Sequence, residues 1–584
     1  MNLTPCWVTS ERVCCRIQIC GSTTCESDIG EVHAVINDME AYVYQTLPNE
    51  DSIRVLTTLT STDEAEIRCS LGITSLQGGV EYATLSYTWG MDADGDAHLC
   101  RSITVDGQAL QITQNLYDWL RRVIATKDLC MPIWIDAICI NQADVEERET
   151  MVARMADIYE GSKRLFVWLG QGTDRDEDER IQCMLECMGE NRHWHYRKHV
   201  VTTRGGGVSV LCLARAAFDA TDATNRFHSR KGNKTPLPSR PLPDSLRVLF
   251  NADDLAIAVQ EINRLMELIT NRRYWTRRWI IQEHAFDDDK DEVILIWGPA
   301  AGAYIRTFTL AAATLTNPAW RDIERVFHAP VYSVATGFEW SKRLDQIIGV
   351  LGFSGWAPAM GKYGHTIPPD EILSMVTYFA HDFQCSDPRD IVYALQSLGP
   401  RRGLRPDYSM TAAEVFAASC ADKLNVGRSV QAFLYSATMH KDVDELTAAL
   451  PSWCPDLRQK PSGLGDSGPL GPCRVLSGNV LACTLIFHGV LESTNTVAEA
   501  AEGEAASANC PPGLETMNLE RPIGKQTQIG DLVCGFSRDE YDDLKVILRR
   551  NGAQLPDVRL IASGRLHIPS WRLNQHPLIV LSIH

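Results

Sequence analysis

The sequence has no apolar run of bilayer-spanning length, and its first twenty residues, MNLTPCWVTSERVCCRIQIC, lack the continuous hydrophobic stretch of a signal peptide. A soluble, cytoplasmic protein without a membrane span is expected. Basic charge is also scarce: 74 acidic residues against 56 basic ones give a formal charge of −18. That balance opposes attraction to phosphate backbones and anionic lipid, so nucleic acid is not an expected partner. Cysteine pairs at C-x-x-C spacing are missing. The 19 cysteines are scattered, which in a chain this long reads as reduced thiols rather than a disulfide framework. The cluster Cys14, Cys15, Cys20 and Cys25 lacks the paired C-x-x-C knuckles of a structural zinc site, the group Cys183, Cys187, His193, His195 and His199 sits beside a variable-looking insertion, and no metal is expected at either. No G-x-S-x-G elbow, H-E-x-x-H helix or regular repeat occurs. The glycines of RGGGVSV lack the Lys-Ser/Thr of a phosphate loop, so no bound cofactor is expected.

What is present is enough apolar sequence, 45% of 584 residues, to bury more than one core. IRVLTTL, AEIRCSLGITSL and YATLSYTWG read as extended segments, and ITVDGQALQIT places Asp106-Gly107 between two alternating runs, a hairpin signal. Leu116, Leu120 and Val123 share a helical face. PIWIDAICI is a short apolar strand candidate. The clearest helix follows, with Asp144 and Glu147 in capping-box positions and Met151, Met155, Ile158 and Tyr159 as its apolar stripe. RLFVWLG then reads as a buried strand, the order of a parallel crossover.

The chain therefore divides into an extension at 1–44, an α/β domain with a parallel sheet at 45–300, a mostly helical region at 301–470 and a β-rich region at 471–584. Residues 171–250, with DRDEDER and SRKGNKTPLPSRPLPDS, read as a long insertion in the first domain.

Three blocks carry candidate site residues. Ser86, Tyr87 and Trp89 end the strand-like YATLSYTWG. Asp136, Asn141 and Gln142 follow the next apolar strand, where polar side chains either face a ligand crevice or satisfy loop backbone and cap a helix. In RYWTRRWIIQEHAF, helical spacing would line up Trp275, Trp279 and Glu283. An indole beside a carboxylate gives it a partly dry wall, which can raise its pKa or sharpen its orientation. The alternative is two packed tryptophans and a Glu283 paired with a nearby arginine. Further on, Ser386-Asp387-Pro388 reads as a helix start, with Arg389 and Asp390 as an ion pair that docks this helix on the first domain.

Taken together, YATLSYTWG, PIWIDAICINQADVEERETMVARMADIYEGSKRLFVWLG and YWTRRWIIQEH resemble, in order, the heterokaryon incompatibility (HET) domain of filamentous fungi. SDPRDIVYAL, RPDYS, LPSWCPD and IGDLVCGF resemble the region that follows it in long HET proteins. Thr84 stands where the family usually has Ala. The resemblance implies non-self recognition and regulated cell death, with a protein partner or trigger and self-association. HET domains are in turn similar to TIR domains, which implies a TIR-like, flavodoxin-like sheet. It also places Glu283 at the position of the catalytic glutamate of NAD-cleaving TIR enzymes, with NAD as substrate. On that reading Ser86, Tyr87, Trp89, Asp136, Asn141 and Trp279 bind the substrate. A non-enzymatic module that signals by assembly is the alternative.

Overall fold

The computed structural model describes residues 39–61, 66–90, 98–127, 129, 131–172, 178, 181, 264, 266–285, 292–298, 303–304, 343, 381–395, 404–425, 430–438 and 444–459. Between 474 and 583 it describes the strands and a few adjoining residues. Most of the 171–250 insertion, both Cys/His clusters and most of 301–380 lie outside these residues.

Strands β1 (Ser52–Ser61) and β2 (Ile67–Ser75) pair antiparallel, and β3 (Ala83–Tyr87) is the buried strand of the YATLSYTWG block. β4 (Leu99–Val105) and β5 (Gln108–Thr113) form the expected hairpin. Asp106 and Gly107 both take positive φ, 48° and 87°, the conformation a two-residue turn needs to match strand twist. α1 (Gln114–Thr126) is capped by the Thr113 hydroxyl and buries Leu116, Leu120 and Val123. The apolar run PIWIDAICI gives only a two-residue strand, β6 (Ile133–Trp134), before the chain turns into α2 (Asp136–Cys139), because a helix starts at Asp136. α3 (Val145–Gly161) buries its four-residue stripe as its periodicity predicts.

Its cap is half of a capping box. Asp144 accepts from Glu147 N at 3.1 Å, but the Glu147 carboxylate goes instead to Arg54, at 2.6 and 3.0 Å, and to Asn141 N at 2.7 Å. A buried guanidinium needs a charge partner more than a solvated N-cap needs a second acceptor.

With β7 (Arg164–Trp168), β8 (Glu292–Ile296) and β9 (Ala303–Tyr304) the sheet has nine strands in the order β5-β4-β2-β1-β6-β3-β7-β8-β9. It is mixed, not parallel as expected. β6, β3, β7 and β8 run parallel, while β1 meets both β2 and β6 antiparallel and β9 meets β8 antiparallel. The short loops β1–β2 and β4–β5 admit only hairpins, whereas a parallel neighbour needs a crossover of a dozen residues or more. β3 lies between β6, reached through α1, and β7, reached through α3. The two helices pack in different cores on opposite faces: Leu85, Tyr87 and Trp168 join α1, and Leu165, Val167 and Leu295 join α3. β3 is thus the point where the connections change sides, and the carboxyl end of such a strand opens a crevice.

After the sheet, α4 (Asp390–Tyr393), α5 (Ala412–Asn425), α6 (Val430–Thr438) and α7 (Glu445–Ala449) are the described helices of the middle region. Arg389 pairs with Asp387, at 2.6 Å, and not with Asp390. Two residues apart in a turn, Asp387 can meet the guanidinium fork, while Asp390 faces inward.

The C-terminal region is β-rich. A second nine-stranded sheet includes β10 (Val480–Leu491), β11 (Leu532–Gly535), β12 (Leu544–Arg550), β13 (Asp557–Arg565) and β14 (Leu578–Ile583). β14 pairs with both β10 and β13, so these five strands close into a ring around Leu485, Cys534, Val546 and Leu581. Closure leaves fewer open edges. Among the described residues there is no disulfide, no group of three or more His, Cys, Asp and Glu side chains placed to hold a metal, and no helix long and apolar enough to cross a membrane.

Candidate functional site

The carboxyl end of β3 gathers polar groups from three parts of the chain. Ser86 points to the α3 face. Its hydroxyl meets Tyr274 OH at 2.6 Å and donates to Glu283 Oε2. Glu283 is 1% exposed, and Arg277 binds both its oxygens, at 2.9 and 3.3 Å. Tyr274 OH also meets His284 Nε2 at 2.8 Å. Burial works against the Arg277 charge, but the Glu283 carboxylate outweighs it and holds the arginine pKa above its ordinary value.

Tyr87 and Trp89 reach the other side of the same strand end. Trp89 Nε1 donates to Asp136 Oδ2 at 2.9 Å, and Ala137 N donates to Oδ1 at 2.7 Å. The buried Tyr87 hydroxyl is close enough to Asp136 to be coupled to it, yet has no atom in hydrogen-bond geometry. Burial pushes the Asp136 carboxyl up to about 6, with the Trp89 bond opposing and the Glu283 charge adding to the rise. Asn115 of α1 fastens this corner, donating to Thr88 O at 2.6 Å and accepting from Trp168 Nε1 at 2.8 Å.

The raised Asp136 value has a consequence for stability. Relative to an unfolded aspartate near ~3.9, the folded state holds its proton more tightly. The stabilisation is full below that value and is lost as pH rises through about 6. Asp136→Asn, which keeps an acceptor for Trp89, is expected to gain on wild type by on the order of 2 kcal/mol between pH 4 and pH 8. Thermal melts of both proteins across that range test this, and a constant difference between them would refute it.

The structure thus brings Ser86, Tyr87, Trp89, Asp136 and Glu283 to one strand end. It leaves Asn141 and Trp279 elsewhere. The Asn141 side chain accepts from Ala143 N at 3.3 Å, capping the loop before α3. Gln142 binds back to Asp136 O at 3.0 Å. Trp275, Trp279 and Glu283 share no helical face, because the block is a 3₁₀ turn (Arg273–Thr276), a break at Arg277 and Arg278, and a short α-helix (Ile280–Glu283). The Trp275 indole donates to Ile269 O at 2.8 Å and the Trp279 indole to Asp390 at 3.2 Å.

Sequence reading missed Arg277, Tyr274 and His284. Arg277 stands in a run of two arginines, and spacing alone does not say which one turns inward. Arg278 turns away instead: it bonds to Ile391 O at 3.0 Å, and burial lowers its pKa to about 10.

Chemically, the site offers one ion-paired carboxylate, a second carboxyl whose pKa is raised to about 6, the linked hydroxyls of Ser86 and Tyr274, and a half-buried indole. Such a set can hold sugar hydroxyls, shelter a developing cation and move a proton.

Residues 82–283 match the family described as heterokaryon incompatibility protein (HET). Heterokaryon incompatibility protein 6, OR allele, from Neurospora crassa, is 24% identical over 433 residues, which cover 67% of this chain and 55% of that protein. The chain therefore spans about half the length of the curated relative it matches. No solved structure shows a significant match. The match begins one residue before β3 and ends on Glu283, so it encloses both walls of the strand-end cluster, and it is residues 82–283 that are similar to the HET family.

Proposed function

We propose that this protein acts in fungal non-self recognition, as the name of its Neurospora relative indicates for that protein, with cell death as the output and NAD cleavage at Glu283 as the chemistry. The observation that carries the reading is the Glu283 carboxylate, withdrawn from water at the carboxyl end of β3 and flanked by Ser86, Tyr274 and Arg277. In the reaction the bond between ribose C1′ and the nicotinamide nitrogen breaks, and its electron pair leaves with neutral nicotinamide. Glu283 stabilises the oxocarbenium-like ribosyl group and holds its hydroxyls. Water adds to C1′, and its proton passes to Asp136, whose value of about 6 suits that role. Trp89 offers a face for ring stacking.

Both Glu283 oxygens are engaged here, so the site is closed and opens when the protein meets its partner or self-associates. That full engagement is also what favours the second reading, a non-enzymatic module that signals by assembly. The two part on Glu283→Gln. Nicotinamide release from NAD is followed with the full chain at high concentration and with a crowding agent. Wild type is expected to release nicotinamide, and the variant to lose about 10²-fold, the size of removing one preorganised transition-state contact. Equal release, or none from either folded protein, would decide for the assembly module.

A further inference from the structure

The turn that carries Arg277 is held from outside the matched domain. Gln384 bonds to both sides of it: its N–H donates to Thr276 O at 2.6 Å, and its carbonyl accepts from Arg278 N at 2.8 Å. This is an isolated parallel bridge centred on Arg277. The next two side chains reach across as well, Arg278 to Ile391 O at 3.0 Å and Trp279 Nε1 to Asp390 Oδ2 at 3.2 Å. Asp390 is itself fixed by Tyr408, whose hydroxyl donates to Oδ1 at 2.8 Å. The Tyr408 ring lies 4.9 Å from the Arg148 guanidinium of α3. Phe383, Tyr393 and Leu395 share one core with Trp275, Ile280 and Ile281.

Local sequence cannot supply this conformation. The 3₁₀ turn and the short α-helix on either side of Arg277 and Arg278 have four residues each and no side-chain cap, far below the length at which a helix holds itself. Arg277 sits between them in an extended conformation, φ −73° and ψ 133°. What fixes its direction is the set of bonds to residues 384–391.

We propose that Asp390 is a positioning residue of the Glu283 site: by holding Trp279 it keeps Arg277 on the carboxylate. The working unit is then the HET domain together with the segment through Tyr408, and not residues 82–283 alone. Any effect on NAD cleavage rests on the function proposed above, whereas the restraint on Arg277 does not.

The test uses the full chain with Asp390→Ala, Asp390→Asn and Trp279→Phe, and reads amide hydrogen exchange. In the alanine variant, exchange across 277–285 is expected to accelerate at least ~10-fold while β3 and β7 stay unchanged, as a local opening would give. Asparagine should restore protection, since its amide can accept from Trp279 and donate to Tyr408. Trp279→Phe should reproduce the alanine result, because it removes the indole N–H that Asp390 accepts while leaving a smaller aromatic ring in place. It decides the matter if the alanine variant fails to fold. Unchanged exchange over 277–285 in folded Asp390→Ala or Trp279→Phe protein overturns the proposal. If wild type releases nicotinamide, release should fall with alanine and recover with asparagine, a rescue that loss of packing alone would not produce. A wild type that releases none counts against the NAD reading, and the exchange result still decides this one.

Discussion

Replacing Arg277 by methionine is expected to destabilise the protein by about 3–5 kcal/mol, the cost of leaving one member of a buried pair without its counter-charge. Glu283 is 1% exposed and Arg277 16%, so water cannot replace the lost guanidinium without opening the strand end. Ser86 would remain as a neutral donor, too little for a carboxylate. The second half of the expectation is recovery. Adding Glu283→Gln to Arg277→Met removes the stranded charge, so the double variant should regain most of the loss, and a double-mutant cycle isolates the coupling. Arg277→Lys should fall between, because a single ammonium cannot meet both carboxylate oxygens as the planar fork does. Urea unfolding of wild type, Arg277→Met, Glu283→Gln, the double variant and Arg277→Lys is the measurement. A cost under ~1 kcal/mol for Arg277→Met, within the range of an exposed pair, would show that the pair is wetter than its burial indicates.

The second large effect is expected at Arg54→Met, again about 3–5 kcal/mol. Arg54 lies in β1 with its side chain 1% exposed. It binds both Glu147 oxygens, Cys139 O at 3.1 Å and Gln45 O, and it packs 5.0 Å from the Tyr44 ring. Glu147 in turn accepts from Asn141 N. One guanidinium therefore ties the edge of β1, the end of α2 and the start of α3. Arg54→Lys is expected to rescue little, since one ammonium cannot span acceptors on three segments. Because Asp136 begins α2, the loss should also reach the site: amide exchange at 136–142 is expected to rise in Arg54→Met. A folded variant with unchanged stability and unchanged exchange there would rule out this linkage.

The Asp390 contacts bear on how a fragment would behave. A chain cut near residue 300 keeps every residue matched to the HET family, yet loses Gln384, Asp390 and Tyr408. It would then hold Arg277 by the ion pair and by its contacts with Tyr274, without the bridge from Gln384. A weak signal from such a fragment would speak to the missing segment before it spoke to the chemistry.

Local features were legible from residue types and their spacing. Asp106-Gly107 closes a hairpin because those two residue types tolerate positive φ, and α1 and α3 follow from apolar residues spaced to bury one face. The sequence also marked Ser86, Tyr87, Trp89, Asp136, Asn141, Trp279 and Glu283 as polar or aromatic residues near the ends of apolar segments, and the fold brings all but Asn141 and Trp279 to one strand end. Long-range contacts set the remainder. Whether Arg277 or Arg278 meets Glu283, whether the Trp279 indole faces the site or Asp390, and whether Glu147 closes its own cap or neutralises Arg54 each depend on a partner from another part of the chain. In each case the local preference is worth about 1 kcal/mol or less and the buried charge or tertiary contact several times that. The sheet direction follows the same rule: strand propensity marked the strands, but loop length and the side of the sheet each helix buries set which neighbours run parallel.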